Sequence, residues 1–273
     1  TDVLLSDPAR KRAATREHSL RMQMDVLSPT ARSLQKMLRT GERLRSDIDA
    51  KIASWSDRGM AARALEALTL LDPSRFDAVL AADSGPAAVY GLFLHCFTRN
   101  TFLDELGPDD GPDWQAFLDA NISSYSAMED HLLYRADSPF FDNTGTTEKE
   151  DKAAVIARSL ADAVLLAEER LGKNRARWRW GALHTYPWRH DAARKARFLA
   201  PLLDRGPFPA PGDTSTLNVA GLAHGWSFDT LWIPAMRMVV DFGLDEPALL
   251  TMTPGQSGDP SNPHYDDMID YFL

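Results

Sequence analysis

The sequence has little of what several protein classes need. Its one cysteine, Cys96, cannot form an internal disulfide, and no cysteine–histidine cluster has the spacing of a zinc site. Basic residues are outnumbered 30 to 39, and the net charge of −9 disfavours nucleic acid or an anionic membrane as partner. The longest mostly apolar run, residues 86–97, covers about twelve residues, whereas a bilayer span needs roughly twenty. We therefore expect a globular chain with no metal, no nucleic acid and no membrane as partner.

The composition that remains is that of a folded protein with a buried core. Hydrophobic residues make up 44% and charged residues 25% of the 273 residues, which allows one large domain or two small ones. The chain starts with Thr1 rather than methionine and stops within the apolar pattern Ile269–Leu273. We therefore expect a piece of a longer polypeptide, and the absence of a signal peptide implies nothing about that parent protein.

Helical signals dominate residues 1–172. Ser28-Pro29 combines an N-cap hydroxyl with a proline at the first helical position, which predicts a helix start. Two further apolar stripes at helical spacing predict helices that end near Gly59 and at Asp72-Pro73. This part of the chain is therefore predicted to be a helical block.

Two longer helices can be predicted in more detail. The run from Ala87 to Leu103 is apolar on nearly every face, which indicates a central, buried helix. Thr147 and Glu150 have the spacing of a capping box, so the next long helix is predicted to start there. Its apolar stripe ends at Leu171, and Gly172 follows as the stop signal.

Residues 173–273 have a different character. Residues 174–213 are rich in Arg, Trp, Pro and Gly and are predicted to be irregular. Three short runs bounded by turn signals predict strands at Leu217–Leu222, Met236–Phe242 and Leu249–Thr253. A helical block followed by a strand block predicts an α+β fold, and three short strands make a poor sheet unless they find partners.

Four segments of this second block stand in a recognisable order and spacing. They are Trp178–His184, Gly212–Asn218, Met236–Asp241 and Pro254–Asp267. With them the chain resembles the penicillin acylase family of N-terminal-nucleophile (Ntn) amidohydrolases, which includes cephalosporin acylases and acyl-homoserine-lactone acylases. Three upstream segments resemble the same family: Met24–Ala31, Phe140–Asp142 and the helix after Thr147.

The resemblance covers only one part of such an enzyme, the C-terminal half of the β subunit. It implies that residues 1–172 and 173–273 form one structural unit with partner chains, and that together they complete an αββα Ntn-hydrolase sandwich. It also implies that the nucleophile, an N-terminal serine exposed when a precursor cleaves itself, lies on another segment. The partners would then be the α subunit and the N-terminal part of the β subunit, and this chain alone would be inactive.

The resemblance further implies an activity and a location. The reaction would be hydrolysis of an N-acyl amide, with acyl-homoserine lactones or β-lactam side chains as substrates and quorum quenching or antibiotic resistance as the process served. The enzyme would be periplasmic or secreted. No cofactor is expected in this chain, since the calcium that some relatives hold would have its ligands upstream.

Three residues of the strand block are candidates for a pocket. Asn218 either reaches the catalytic centre or fixes a loop through its side-chain amide. His224 and Asp229 form a polar cluster next to Gly225 that could line a pocket. We name no catalytic residue in this chain.

Other residues of the motifs are interpreted as structural. His184 and His264 are expected to make hydrogen bonds, and Arg237 is expected to pair with a carboxylate such as Asp241. The remaining motif positions are expected to form a tight turn and its packing, because Ser257 is not in a Gly-x-Ser-x-Gly nucleophile elbow. These positions are Gly255, Gln256, Ser257, Gly258 and Tyr265.

Two alternatives stay open at this stage. The chain could be a non-catalytic helical interaction domain that shares only ancestry with the acylases. Thr1 could itself be the nucleophile, with its own amine as the base. The residues after Thr1 do not continue as an apolar strand, which argues against the second alternative.

Overall fold

The computed structural model describes residues 41–269 except 73–78, 121, 217, 244, 246 and 253. The chain divides into two compact units, residues 1–50 and 51–273. In the first unit residues 41–50 are described, and they are helical. The helix start predicted at Ser28-Pro29 lies outside the described residues. Among the helices that are described, none has the length and hydropathy to span a bilayer.

Eight α-helices are described. Residues 41–54 are helical, and we call this described stretch α1. The others are α2 (Arg58–Leu70), α3 (Gly85–Leu106), α4 (Pro112–Asp119), α5 (Ile122–Leu133), α6 (Lys152–Leu171), α7 (Asp191–Lys195) and α8 (Ala200–Leu203). Short 3₁₀ turns occur at Pro139–Phe141, Arg175–Arg177, Trp180–Ala182 and Arg197–Leu199.

The prediction that a helix ends near Gly59 is wrong. Helix α1 ends at residue 54, and Gly59 lies in the first turn of α2. The reason is Asp57, whose side chain accepts hydrogen bonds from the backbone N–H groups of Gly59 and Met60 and so starts a new helix. Helix α2 ends at Leu70, close to the predicted stop.

Helix α3 is the buried central helix that its apolar run predicts. Ser84 caps its N-terminus by accepting a hydrogen bond from the N–H of Ala87. Its buried residues extend on all sides, from Ala87 to Phe102. Trp180 packs so closely on it that a Cβ at Gly91 would lie 2.3 Å from the indole ring, so only glycine fits there.

Helix α6 packs against both α2 and α3 and so joins the helical core. It ends at Leu171, and Gly172, with φ = +83°, follows as predicted. Its start differs from the prediction, because the helix begins at Lys152. The cap is Asp151, whose carboxylate accepts a hydrogen bond from the N–H of Ala154. The prediction of a Thr147–Glu150 capping box is therefore wrong, because Asp151, which directly precedes the helix, provides the cap.

Four strands form two separate antiparallel pairs. Strand β1 (Thr185–Trp188) pairs with β2 (Arg205–Pro209), and β3 (Met236–Val240) pairs with β4 (Ala248–Met252). The predicted strands at Met236–Phe242 and Leu249–Thr253 are thus present in slightly shifted form. The β1–β2 pair lies within the segment predicted to be irregular, so that prediction is wrong.

The prediction of a strand at Leu217–Leu222 is also wrong for the residues of this segment that the structure describes. Its one β contact is an isolated bridge between Gly221 and Trp232, and Leu217 lies outside the described residues. Ala220 and Leu222 are buried. The apolar run therefore reflects burial of a loop rather than a strand. Helices with small antiparallel sheets make the described chain an α+β protein.

The β3–β4 hairpin has an apolar face that is largely exposed. Directly opposed residues of an antiparallel pair point to the same side of the sheet. The register places on one face Met236 with Met252, Met238 with Leu250, and Val240 with Ala248. Ala248 is exposed, and the other five of these residues are between 46% and 61% exposed. We call these six residues the hairpin face.

Candidate functional site

A cavity of about 940 Å³ lies in the second unit. It is open to solvent and is lined by helices α3 and α6, the turn at residues 182–183 and the loop of residues 225–229. This volume is within the range of small-molecule sites in proteins. Its lining includes His95, Cys96, Arg99, Asn100, Asp162, Leu165, Trp226, Phe228 and Asp229.

Helix α3 anchors the loop at Gly225. The N–H of Gly225 donates to His95 Nδ1 over 3.2 Å, and its carbonyl accepts from the Arg99 guanidinium over 2.9 Å. Gly225 has φ = +93°, and a Cβ there would lie 3.0 Å from the ring of Trp114. The position therefore needs glycine for its backbone conformation and is also tightly packed.

His95 is uncharged and has a defined tautomer. Burial, followed by the proximity of His224 and Arg99, lowers the pKa of His95 to about 3. Because Nδ1 accepts the hydrogen bond from Gly225, the ring proton of the neutral imidazole must be on Nε2. The ring packs against Phe228, with 4.8 Å between the ring centroids.

His184 holds the far end of the same loop. Its Nδ1–H donates to the Phe228 carbonyl over 2.7 Å, and the Thr230 hydroxyl lies 3.3 Å from its Nε2. A hydroxyl paired with an imidazole is the arrangement of a nucleophile and its base. However, His184 is fully buried and Thr230 is 6% exposed, so no substrate reaches the pair. Burial also lowers the pKa of His184. In this structure the pair fixes the loop.

His224 begins the loop and is buried in the protein interior. Neither of its ring nitrogens has a hydrogen-bond partner among the residues that the structure describes. Burial, followed by the effect of His184, lowers its pKa to about 3, so the ring is neutral at physiological pH. The ring of Tyr125 packs near it, with 5.9 Å between the ring centroids.

Two charged residues of the cavity lining, Arg99 and Asp162, are bound by other groups of the protein. Arg99 binds Asp109 through two hydrogen bonds of 2.6 Å, which lower the pKa of that carboxyl. The side-chain amide of Asn100 donates to Asp162 over 3.0 Å and to Ser159 over 3.1 Å. Burial raises the pKa of the Cys96 thiol to about 12, so it is protonated. Cys96 is thus a poor nucleophile here.

The structure does not bring the three candidate pocket residues together. Asp229 lines the large cavity and accepts a hydrogen bond of 2.8 Å from the Thr185 hydroxyl. Asn218 lines a smaller cavity of about 560 Å³, beside Phe208. His224 is inside the protein, next to the loop rather than in the cavity lining.

Sequence reasoning missed His95 and Arg99. His95 lies in a long apolar run, which predicts a buried helix and hides the role of a single histidine within it. The available signal was its spacing to Arg99, because two polar residues at i and i+4 of a buried helix share one face and both need partners.

The Gly255–Gly258 segment forms a turn that packs on the residues after it. The N–H of Ser257 donates to the His264 carbonyl over 2.9 Å, and the Ser257 hydroxyl oxygen accepts from the N–H of Asp259 over 3.1 Å. A Cβ at Gly255 would lie 2.4 Å from the His264 carbonyl oxygen. Gln256 is exposed, and Gly258 faces open space. The contacts of Ser257 are thus those of a turn residue.

The remaining motif residues make contacts within the fold. His264 Nδ1 lies 2.7 Å from an Asp267 carboxylate oxygen, and the buried Tyr265 donates its hydroxyl proton to the Leu203 carbonyl over 2.8 Å. Arg237 donates to the Val219 carbonyl over 2.9 Å, and its expected carboxylate partner stays a prediction. Across the described residues, no group of three or more His, Cys, Asp or Glu is placed to hold a metal ion.

Comparison with known proteins gives consistent matches along the chain. The sequence model of the penicillin amidase family matches residues 1–273. An acyl-homoserine lactone acylase, QuiP, of Pseudomonas aeruginosa is 47% identical over 268 residues, which is 93% of this chain and 31% of that protein. The proteins of the same name from Pseudomonas fluorescens and Pseudomonas putida are each 41% identical, over 92% and 91% of this chain. The chain spans about 30% of the length of these relatives.

Proposed function

The chain belongs to the penicillin amidase family, and we propose that it is one part of an N-acyl amide hydrolase of the acyl-homoserine-lactone acylase type. The observation that carries the proposal is its similarity to proteins of that name, which reaches 47% identity over nearly the whole chain. We further propose that the chain corresponds to the C-terminal part of the β subunit and that the rest of the enzyme supplies the nucleophile.

The surface of the chain supports a larger assembly. The hairpin face presents six apolar side chains, and monomeric proteins rarely leave such a surface uncovered. The chain also spans only about 30% of the length of its relatives. We propose that the α subunit and the N-terminal part of the β subunit cover this face, and that the strands complete an αββα Ntn-hydrolase sandwich there.

In the proposed reaction the chemistry belongs to a serine at the N-terminus of the β subunit. Its hydroxyl would attack the amide carbonyl, with its own α-amine taking the proton. The C–N bond breaks, the amine leaves with a proton, and water then hydrolyses the acyl ester to a carboxylic acid. The role of this chain would be to support the assembled enzyme, since its hydroxyl–imidazole pair Thr230–His184 is sealed from substrate.

The experiment is a substrate comparison with the parent protein. The gene that encodes this chain is expressed in full, and the intact masses of its mature chains are measured. Hydrolysis is followed for N-acyl-homoserine lactones with acyl chains from short to long and for benzylpenicillin. We expect release of homoserine lactone to exceed cleavage of the penicillin side chain. A correctly folded parent without amide hydrolysis would support the alternative, a non-catalytic interaction domain.

The same preparation tests two further parts of the proposal. Replacement of Thr1 by Ala should leave turnover unchanged, because the nucleophile is proposed to lie on another segment, and loss of turnover would assign that role to Thr1 instead. Cell fractionation tests the proposed periplasmic or secreted location. Recovery of the mature enzyme in the cytoplasmic fraction would refute it.

A further inference from the structure

Strands β1 and β2 are joined by a helical connection with its own compact structure. Residues 189–204 form it and include α7, a 3₁₀ turn and α8, and these three elements contact one another. Its two ends are held together, because Trp188 is paired with Arg205 and the N–H of His190 donates to the Asp204 carboxylate over 2.9 Å. We call these residues the β1–β2 connection.

Two apolar side chains of the β1–β2 connection are largely exposed. Phe198 is 82% exposed and Leu202 is 56% exposed. They are four residues apart in a continuous helical stretch, residues 197–203, which places them on one side of it. Neither side chain contributes much burial to this chain, so both are available to a partner. Apolar surface next to charged residues is typical of protein contact surfaces.

The same connection has an excess of positive charge. It contains four basic and two acidic residues, although the net charge of the whole chain is −9. Of the two acidic residues, Asp204 binds the His190 N–H, and Asp191 lies 3.4 Å from Arg194. The other three basic residues are exposed and have no ion pair with any residue that the structure describes: Arg189, Lys195 and Arg197.

These features fit a polypeptide that carries carboxylates beside an apolar side chain. Carboxylates would complement the unpaired cations, and the apolar side chain would complement Phe198 and Leu202. An anionic bilayer offers the same charge, but the net charge of −9 disfavours it. The chain spans about 30% of the length of its relatives, so most of the proposed parent protein lies outside it and is available as the partner.

We propose that an acidic segment of the rest of the parent protein covers the side of the β1–β2 connection that carries Phe198 and Leu202, with its carboxylates paired to Lys195 and Arg197. The inference rests on the proposed function in one respect, that this chain is part of a larger protein. It concerns assembly, so it can fail while hydrolysis is confirmed, and it can hold if hydrolysis is not found.

The first experiment maps what Phe198 contacts in the intact parent protein. Phe198→p-benzoylphenylalanine keeps an aromatic ring at the position and forms a covalent adduct with its neighbour on irradiation. Peptide mass spectrometry should place the adduct outside residues 1–273, in a segment that contains aspartate or glutamate. The control is the same replacement at Tyr134, another exposed aromatic residue, which should not label that segment.

The second experiment tests the charge pairing. A carbodiimide joins a lysine amine directly to a carboxylate that it contacts. In the parent protein it should join Lys195, or the lysine of Arg197→Lys, to the segment found by irradiation. Arg197→Glu should lower the photoadduct yield from position 198 at least about fivefold, because like charges then face each other. Arg177→Glu, at an exposed arginine outside the connection, should leave the yield unchanged.

Several results would overturn the proposal. They include adducts confined to residues 1–273 of the same molecule, and a labelled segment without carboxylates or carbodiimide links. Adducts between isotopically labelled and unlabelled parent molecules would assign the surface to a second copy instead. Absence of adducts, together with binding to phosphatidylglycerol but not phosphatidylcholine vesicles, would assign it to a lipid surface. Irradiation needs no change of charge, so it decides the matter even where Arg197→Glu fails to fold.

Discussion

The helical core buries its apolar residues, whereas the β3–β4 hairpin exposes those of one face. Helix α3 is buried on all sides by α6, α2 and the turn that carries Trp180. The hairpin pairs its backbone correctly, yet its six-residue face is largely exposed. The difference indicates that the core is stabilised by this chain itself, whereas the hairpin face is the surface that we propose is covered by the rest of the parent protein. Substitutions in the two regions should therefore have very different effects.

The largest effect is expected for Trp180→Ala in the helical core. Trp180 is fully buried, fills the space above Gly91, stacks on His184 at 4.7 Å and donates a 2.8 Å hydrogen bond to the Gly212 carbonyl. Its removal should lower the free energy of unfolding by about 4 kcal/mol, measured by urea denaturation. The matched aromatic control, Phe198→Ala, should change it by less than about 0.5 kcal/mol. Similar effects of the two changes would contradict the assignment of the core.

The next largest effect is a dependence of the unfolding free energy on pH, to which His224 contributes. Its pKa is about 3 in the folded protein and 6.5 ordinarily, so the unfolded chain takes up a proton at a higher pH than the folded chain does. The neutral His224 ring therefore makes its full contribution to the unfolding free energy above pH 6.5, and this contribution is lost as the pH falls towards 3. At about pH 5 the loss is about 2 kcal/mol.

The check is a comparison of the wild type with His224→Phe, which removes the titrating group and keeps an aromatic ring. Urea denaturation at about pH 7 and about pH 5 should show that the wild type loses about 2 kcal/mol more than the variant. Burial is the largest cause of the lowered pKa of both His95 and His184, and it is present in both proteins, so most of their contribution cancels in the comparison. Parallel losses would mean that His224 is not the group responsible.

A smaller effect is expected at the edge of the core. Arg175 donates to Glu66 over 2.7 Å and to Glu168 over 2.6 Å, and its guanidinium lies 4.9 Å from the centroid of the Trp178 ring. The group is partly exposed, so Arg175→Gln should cost about 1 kcal/mol of unfolding free energy, and about 0.5 M NaCl should reduce that cost.

Arg177→Gln is the control for this network. Arg177 lies in the same 3₁₀ turn, is exposed, and has no ion pair with any residue described in the structure. Its replacement should change the free energy of unfolding by less than about 0.5 kcal/mol. A cost equal to that of Arg175→Gln would show that the loss of one positive charge, and not the network, is responsible.

The smallest effect on this chain is expected at the hairpin face. Met238 is 61% exposed, so Met238→Ser should change the unfolding free energy of the chain by less than about 0.5 kcal/mol. In the parent enzyme the same change should cost about 2 kcal/mol or more, because the face is proposed to be covered there. Urea denaturation of both proteins makes the comparison, and equal effects would argue against a covering partner.

The helices were the predictable part of this fold. The run that forms α3 is apolar on every side, and the stripe and stop signal of α6 are local features that need no knowledge of the rest of the chain. Strands β1 and β2 were missed because Thr-Tyr-Pro-Trp and Arg-Gly-Pro-Phe-Pro contain proline and lack alternation. Their pairing depends on contacts across the chain.

The candidate site was only partly predictable for the same reason. Asp229 stands beside His224 and Gly225 in the sequence and does line the cavity, but Asn218 belongs to a different concave surface. The site depends on His95, Arg99 and the loop at Gly225, and His95 and Gly225 are 130 positions apart in the sequence. Local patterns carry no information about which distant backbone group an imidazole will meet.

The anchoring of Gly225 has a mechanical consequence. Both of its backbone polar groups are bound by side chains one turn apart on a single helix, His95 and Arg99. A rotation or shift of α3 would therefore move the Gly225 backbone together with the helix. Separation of the loop from the helix would require both of these hydrogen bonds to break.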